Sequence, residues 1–206
     1  MKTASSVTEQ APVRFAESYR RRVAEVLESL DLEAIDQAVA VLYDAWRRNA
    51  LVAIVGNGGS AATASHMAND LVKAARIPDG AVFRAVSLAD NVSALTAHAN
   101  DHGYDTVFAA QMDALFQAGD VLMAISASGN SPNVLAAVDR ARAIGGRTIA
   151  LVGFDGGELA RVADVVLHAH TDRGEYGPVE DIQMVLNHMI TGCLLERMHA
   201  DSATGS

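Results

Sequence analysis

The stretch 56–71, GNGGSAATASHMANDL, places two kinds of chemistry in one short segment. Its first half is rich in glycine, which lets a backbone approach a ligand closely, and Ser60 adds a hydroxyl group. Its second half has the character of a helix, and there His66 and Asp70 stand four residues apart on one face. Such a pair can serve one metal ion or one substrate carbon, although alone it is more often a solvated surface pair.

A second loop of similar composition, SASGNS at 126–131, also follows a short apolar run and precedes a helix. Unpaired backbone N–H groups at a helix start, together with the helix dipole, favour an anion such as a phosphate. Neither loop contains Lys or Arg, so hydroxyls and amides would be its ligands. Each loop alone is equally well explained as a helix cap or turn, but two at corresponding strand ends favour the phosphate. Neither matches the Walker or dinucleotide pattern.

The elements that must position these loops alternate in type along the chain. Apolar positions at helical spacing predict two leading helices, at about 13–30 and 32–48, with Asp31 as the N-cap of the second. Short apolar runs predict five strands, at 51–56, 83–88, 120–126, 147–153 and 163–169. Helices are expected between them at 90–99, 104–117 and 132–144, and a long one at about 179–199. This alternation predicts an α/β fold with a doubly wound, flavodoxin-like parallel sheet covered on both faces.

Composition narrows the class of protein further. The chain has 206 residues, half of them hydrophobic, which suits a single domain over 1–206, with residues 1–10 expected to be disordered. A net charge of −9 argues against nucleic acid as a partner. The single cysteine, Cys193, allows no intrachain disulfide, and no apolar run resembles a signal peptide or a membrane span. We therefore expect a soluble, cytoplasmic protein that binds no membrane.

Four stretches, in this order, resemble the sugar isomerase (SIS) domain family and, more closely, its bacterial phosphoheptose isomerases: GNGGSAATASHMANDL, VSLADNVSALTAHANDHGYDTVF, ISASGNSPNVLAA and IALVGFDGGELARVADVVL. The resemblance extends over about residues 15–198. It implies an aldose–ketose isomerase of a phosphorylated sugar that interconverts sedoheptulose 7-phosphate and D-glycero-D-manno-heptose 7-phosphate through an enediol. It also implies a homotetramer with active sites at subunit interfaces, in which the helices over 13–48 would make oligomer contacts.

The resemblance further implies roles for individual residues. Substrate contacts would be Asn57, Gly58, Gly59, Ser60, Asn100, Asp101, Ser126, Ala127, Ser128, Ser131 and Glu180. A divalent metal, zinc by the resemblance, would be held by His66, Asp70, Glu180 and His188. Two imidazoles with carboxylates are a suitable ligand set for such a metal. We assign Asp70 as the catalytic base and His188 as its acid/base partner.

The second carboxylate of this set, Glu180, has an alternative. On an ideal helix Glu180 lies about 80° around the axis from His188, whereas Asp181 lies only about 20° away. Helix geometry alone therefore favours Asp181, and the resemblance favours Glu180. We follow the resemblance and keep Asp181 as the alternative.

At four positions the chain differs from the usual pattern of the resembling enzymes. That pattern has Glu in place of Asp70, Gln in place of Glu180, often His in place of Gln183, and Asp in place of Thr63. Asp70 is one methylene shorter than Glu, and proton transfer requires hydrogen-bond reach. Two alternatives therefore remain: an isomerase of a different sugar phosphate, and a non-catalytic adaptor like the replication-initiator-binding SIS proteins.

Overall fold

The computed structural model describes residues 11–77 and 81–204, and the disorder expected for residues 1–10 lies outside them. The helices are α1 (Ala11–Glu28), α2 (Leu32–Arg47), α3 (Gly59–Lys73), α4 (Val92–His102), α5 (Val107–Leu115), α6 (Pro132–Ile144), α7 (Leu159–Val162) and α8 (Tyr176–Thr204). The strands are β1 (Leu51–Gly56), β2 (Arg84–Ser87), β3 (Val121–Ser126), β4 (Arg147–Val152) and β5 (Val165–His168). Among the described residues, no helix combines the length and apolar character that crossing a membrane requires.

The five strands form one parallel sheet in the order β2-β1-β3-β4-β5, as the alternating pattern predicts. This is the flavodoxin-like order, in which the chain winds to one side from β1 and to the other from β3. Ligands of such sheets bind beyond the carboxyl ends of the strands at this switch point. The two glycine- and serine-rich loops follow β1 and β3, so the topology brings both to the same crevice.

Side chains of each strand alternate between two apolar layers, which explains why the central strands are continuous apolar runs. In β1, Val52 and Ile54 belong to the core formed with α2, α3 and α8. Ala53 and Val55 face the core on the opposite side, formed with α5, α6 and α7. The helix that carries His66 and Asp70 and the helix that carries His188 therefore lie on the same side of the sheet.

The two leading helices are anchored differently. The N-cap prediction for α2 is confirmed, because the Asp31 side chain accepts hydrogen bonds from the N–H groups of Glu33 and Ala34. This helix buries six side chains, whereas the described part of α1 buries Val26 alone. An ion pair between Arg22 and Glu175, at 2.8 Å, also attaches α1 to the segment just before α8. Polar contacts thus hold a helix that contributes little to the core.

Several boundaries differ from the prediction. Helix α8 begins at Tyr176 and not at 179, because Pro178 lies in its first turn, where a missing N–H costs no helical hydrogen bond. The predicted helix 104–117 is a 3₁₀ turn at Tyr104–Thr106 followed by α5, since the Thr106 hydroxyl and N–H both donate to the Gly103 carbonyl. The outer strands β2 and β5 are shorter than predicted, as edge strands often are.

Candidate active site

The loops after β1 and β3 enclose a small polar cavity of about 160 Å³. It is lined by seven of the predicted substrate contacts: Asn57, Ser60, Ser126, Ala127, Ser128, Ser131 and Glu180. Ile125 and Tyr176 complete the lining, and neither was predicted. No Lys or Arg is among these residues, so the cavity offers hydroxyls, amides and helix N-termini to an anion.

Hydrogen bonds hold the hydroxyls of this cavity in place. The Ser126 hydroxyl accepts the N–H of Gly129 at 3.2 Å and lies 3.3 Å from the Ser131 hydroxyl. Ser60, in the first turn of α3, donates to Oε1 of the fully buried Gln183 at 3.3 Å. Gln183 in turn donates to the carbonyl of Leu151. Gln183, which in sequence is only a departure from the family pattern, thus connects α8 to both the sheet and the start of α3.

Two residues that the sequence analysis missed position Asn57. The amide groups of Asn57 and Asn133 form a reciprocal pair, with both N···O distances 2.9 Å. The Tyr104 hydroxyl also donates to Asn57 Oδ1 at 2.9 Å. Asn133 is buried in the first turn of α6, and a polar residue that directly follows the loop SASGNSP was the available signal. Tyr104 carried no comparable signal, because its partner lies 47 residues away.

Glu180 brings a carboxylate to the start of α3. A Cβ atom added at Gly59 would overlap the Glu180 carboxylate oxygens, so only glycine leaves room for this approach. The positive end of the α3 dipole favours a negative group at this point. Because Glu180 also lines the cavity, its carboxylate competes with a bound anion for the N-terminus of α3.

His66, Asp70 and His188 meet at the other end of the exposed face of α3. The Asp70 Oδ2 atom lies 3.2 Å from His66 Nε2 and 3.8 Å from His188 Nε2. The two imidazole Nε2 atoms are 3.3 Å apart. One ligand atom from each of the three residues lies within 4.8 Å of the others, which is close enough for one metal ion. The Asp70 side chain is 14% exposed, and those of His66 and His188 are 44% and 59% exposed, so ligands can reach them.

Asp181, the alternative to Glu180, is hydrogen-bonded to α1. Its Oδ2 accepts a hydrogen bond of 2.7 Å from the Tyr19 hydroxyl, so it faces α1. Burial, this hydrogen bond and the Asp181 charge raise the pKa of Tyr19 to about 12. Glu180 lies outside the group of His66, Asp70 and His188 in the described residues, and its role as a fourth metal ligand stays a prediction.

Asn100 and Asp101, the remaining predicted contacts, lie exposed near the end of α4. The Asn100 amide donates to the Asp101 carboxylate at 2.7 Å. They are not among the residues that line the cavity, so their roles also stay predictions. Gly58, just before α3, has a φ of 54° and forms the turn into the helix.

Comparisons with known proteins agree with this geometry. The model of the SIS domain family matches residues 14–153. The phosphoheptose isomerase of Helicobacter pylori (strain P12) is 36% identical over 177 residues, 86% of this chain and 90% of that protein. The one of Geobacter sp. (strain M21) is 43% identical over 150 residues, 71% and 78% of the two chains. The structure of phosphoheptose isomerase GmhA from Neisseria gonorrhoeae has a TM-score of 0.78 at 34% identity, covering 91% of this chain and 98% of that one.

Proposed function

Because the chain belongs to the SIS domain family and is a relative of the phosphoheptose isomerases, we propose that it is an aldose–ketose isomerase of a phosphorylated sugar. The proposed reaction interconverts sedoheptulose 7-phosphate and D-glycero-D-manno-heptose 7-phosphate. One observation carries the proposal: α3 begins at the serine-lined cavity and bears His66 and Asp70 further along. Ser60 and His66 are separated by about 9 Å of helix rise, a span that an extended sugar phosphate covers.

The phosphate would be held in the cavity after β1 and β3. The hydroxyls of Ser126 and Ser131 lie 3.3 Å apart, and Ser126 accepts the Gly129 N–H, which leaves its own O–H for a phosphate oxygen. Ser60 has one O–H, so it would turn from Gln183 to the phosphate when the substrate binds. Binding energy from this end of the substrate would position C1 and C2 at the cluster of Asp70 and His188.

Asp70 would act as the base for the ketose. It takes the proton from C1, the electron pair of that C–H bond forms the C1=C2 bond, and the C2 carbonyl oxygen takes up a proton to give the enediol. Return of a proton to C2 and loss of the C1 hydroxyl proton produce the aldose. His188, whose Nε2 lies 3.8 Å from the Asp70 carboxylate, would move the second proton.

The donor set also fits a divalent metal, which we propose to be zinc. His66, Asp70 and His188 offer two imidazole nitrogens and one carboxylate, a set typical of zinc and similar ions, with Glu180 as the proposed fourth ligand. When bound, such a metal would polarise the carbonyl and hydroxyl oxygens of the sugar.

We further propose a homotetramer with active sites at subunit interfaces, located in the cytoplasm. Exposed apolar side chains of α1, Phe15 at 69% and Leu27 at 39%, support an oligomer contact on this helix. Light scattering of the purified protein would measure the mass directly. A monomer at micromolar concentration would contradict this part of the proposal.

The reaction is tested with the purified protein, zinc-loaded or treated with chelator, and a panel of sugar phosphates that includes sedoheptulose 7-phosphate. Proton NMR in D₂O should show the aldose appearing with deuterium incorporated at C2. Turnover of another sugar phosphate alone would correct the substrate. Folded, metal-loaded protein that turns over no member of the panel would contradict the proposal and favour the non-catalytic adaptor.

Changing Glu180 to Gln should strengthen substrate binding. The carboxylate lines the cavity and repels the phosphate, whereas the amide has the same shape and keeps a ligand oxygen. A partly screened repulsion of about 1 kcal/mol corresponds to a KM lowered roughly five-fold, with kcat little changed. Steady-state kinetics measure both values. Glu33→Gln, on the exposed start of α2, is the control for net charge, and an unchanged or higher KM for E180Q would contradict the prediction.

A further inference from the structure

Asn187 is a buried residue that contacts Asp70, the proposed catalytic base. It precedes His188 on α8, yet its side chain is fully buried, whereas that of His188 is 59% exposed. Its Nδ2 donates to Asp70 Oδ2 at 2.8 Å. This is shorter than the contact of that oxygen with either imidazole. The hydrogen bond joins α3 and α8 across 117 residues of sequence.

The carbonyl oxygen of the Asn187 amide has no such partner among the described residues. Its Oδ1 is buried and accepts no hydrogen bond within the described part of the chain. An unsatisfied buried acceptor lowers stability, so an apolar side chain of similar volume would suit this core position better. An asparagine that costs stability at the edge of a reaction site indicates a functional reason for its presence.

The hydrogen bond from Asn187 also suits the short side chain of Asp70. An aspartate side chain is short, and its carboxylate can rotate about the Cβ–Cγ bond. A charge-assisted hydrogen bond from a buried donor fixes that rotation, because the donor itself cannot move. With Oδ2 held by Asn187, the same oxygen stays between the two imidazole rings. A displacement of about 1 Å at such a group can cost roughly 100-fold in rate.

From these contacts we propose that Asn187 is a positioning residue for Asp70: its amide N–H holds the carboxylate between His66 and His188. This inference rests on the proposed function, since it assigns Asn187 a role in the same site. Asn187 need not touch the substrate, and its effect passes through Asp70. It acts both on proton transfer and on the presentation of the carboxylate to a metal.

The test uses two variants at this position in the full-length protein. Asn187→Leu has similar volume and no N–H, and Asn187→Asp keeps the shape but replaces the donor with a carboxylate oxygen. We expect each to lower kcat about 10- to 100-fold, because outer partners of such groups typically have effects of this size. The KM should change little, since the phosphate cavity is untouched. The Tm of N187L should be equal to or higher than that of the wild type.

Zinc affinity provides a readout that does not depend on turnover. Competition with a chromogenic chelator, without substrate, should show zinc bound about 10-fold more weakly by N187L than by the wild type. If the wild type proves to bind zinc but turn over no sugar phosphate, the proposed function fails and this contrast still tests the positioning role. If the wild type is an active enzyme but the variants match it in kcat and zinc affinity, only the positioning role fails.

Thr191→Val is the matched control. The Thr191 hydroxyl is also buried without a partner among the described residues, and it lies one turn further along α8. This variant removes a polar group from the same helix without touching Asp70. We expect its kcat and zinc affinity to equal those of the wild type. A loss in T191V as large as in N187L would show that both act through the packing of α8, which would overturn the proposal.

Discussion

Asp70→Asn is expected to abolish isomerisation while leaving the fold intact. The amide cannot accept the C1 proton, and a positioned base typically contributes about 10²–10⁴-fold to a rate. Asparagine has nearly the same shape, and its Oδ1 can accept the N–H of Asn187 in place of the Asp70 carboxylate. We therefore expect kcat to fall by about 10²- to 10⁴-fold with a small change in Tm.

Two measurements separate the role of Asp70 as base from its role as metal ligand. Deuterium exchange at C1 of the ketose, followed by NMR in D₂O, reports proton abstraction directly and should disappear in D70N. The zinc content of the same sample shows whether the metal is still bound. Asp113→Asn, which removes an exposed ion pair with Arg140, is the control and should behave as the wild type. Exchange retained in D70N at more than a tenth of the wild-type rate would show that another group is the base.

Gly129→Ala should destabilise the protein and weaken substrate binding together. Gly129 has a φ of +63°, and an added Cβ would overlap the backbone carbonyl of Gly156. The loops after β3 and β4 cross at this point, where Leu159 N–H donates to the Gly129 carbonyl at 2.9 Å. The backbone fixes the position of Cβ, so no side-chain rotation can relieve this overlap with the Gly156 carbonyl, and the two loops must separate.

The size of this effect follows from two contributions. A left-handed conformation costs a non-glycine residue about 1–2 kcal/mol, and the loop displacement adds at least as much again. At roughly 2–4 °C per kcal/mol for a chain of this size, Tm should fall by about 10 °C. The KM should rise, because Ser126 and Ser128 belong to the displaced loop.

Gly174→Ala is the matched control for this prediction. Gly174 has a φ of +99°, but an added Cβ meets no atom within 4 Å. The G174A variant therefore has the conformational cost without the overlap, and its Tm should fall clearly less than that of G129A. Thermal unfolding followed by circular dichroism measures both. Equal losses in the two variants would show that the crossing of the loops is not tight.

Much of the fold was predictable because its signals are local. Continuous apolar runs predicted the three central strands, since strands buried on both faces need apolar residues at every position. The Asp31 cap was predictable because a capping side chain binds N–H groups two and three residues away. The start of α8 was missed, because a proline signals a helix boundary in sequence but is tolerated in a first turn.

The site was predictable in part. The two loops were found as candidates because each is rich in glycine or serine and stands between an apolar run and a helix, and the cavity after β1 and β3 is lined by seven of the predicted contacts. Ideal helix angles favoured Asp181 and the resemblance favoured Glu180, but such angles relate positions on one helix and do not say which neighbour each face meets. The Tyr19 hydroxyl of α1 occupies the face of α8 to which Asp181 belongs.

The sequence by itself determined the alternation of elements, the glycine- and serine-rich loops, and the shared face of His66 and Asp70. These depend on interactions over a few residues, such as helical periodicity, turn preferences and capping. The family resemblance implied that His188 joins this pair, but only the tertiary structure shows that α8 brings it there and that the buried Asn187 donates to the Asp70 carboxylate. Such contacts join positions more than a hundred residues apart, and they depend on how α8 packs against α3, which no local pattern encodes.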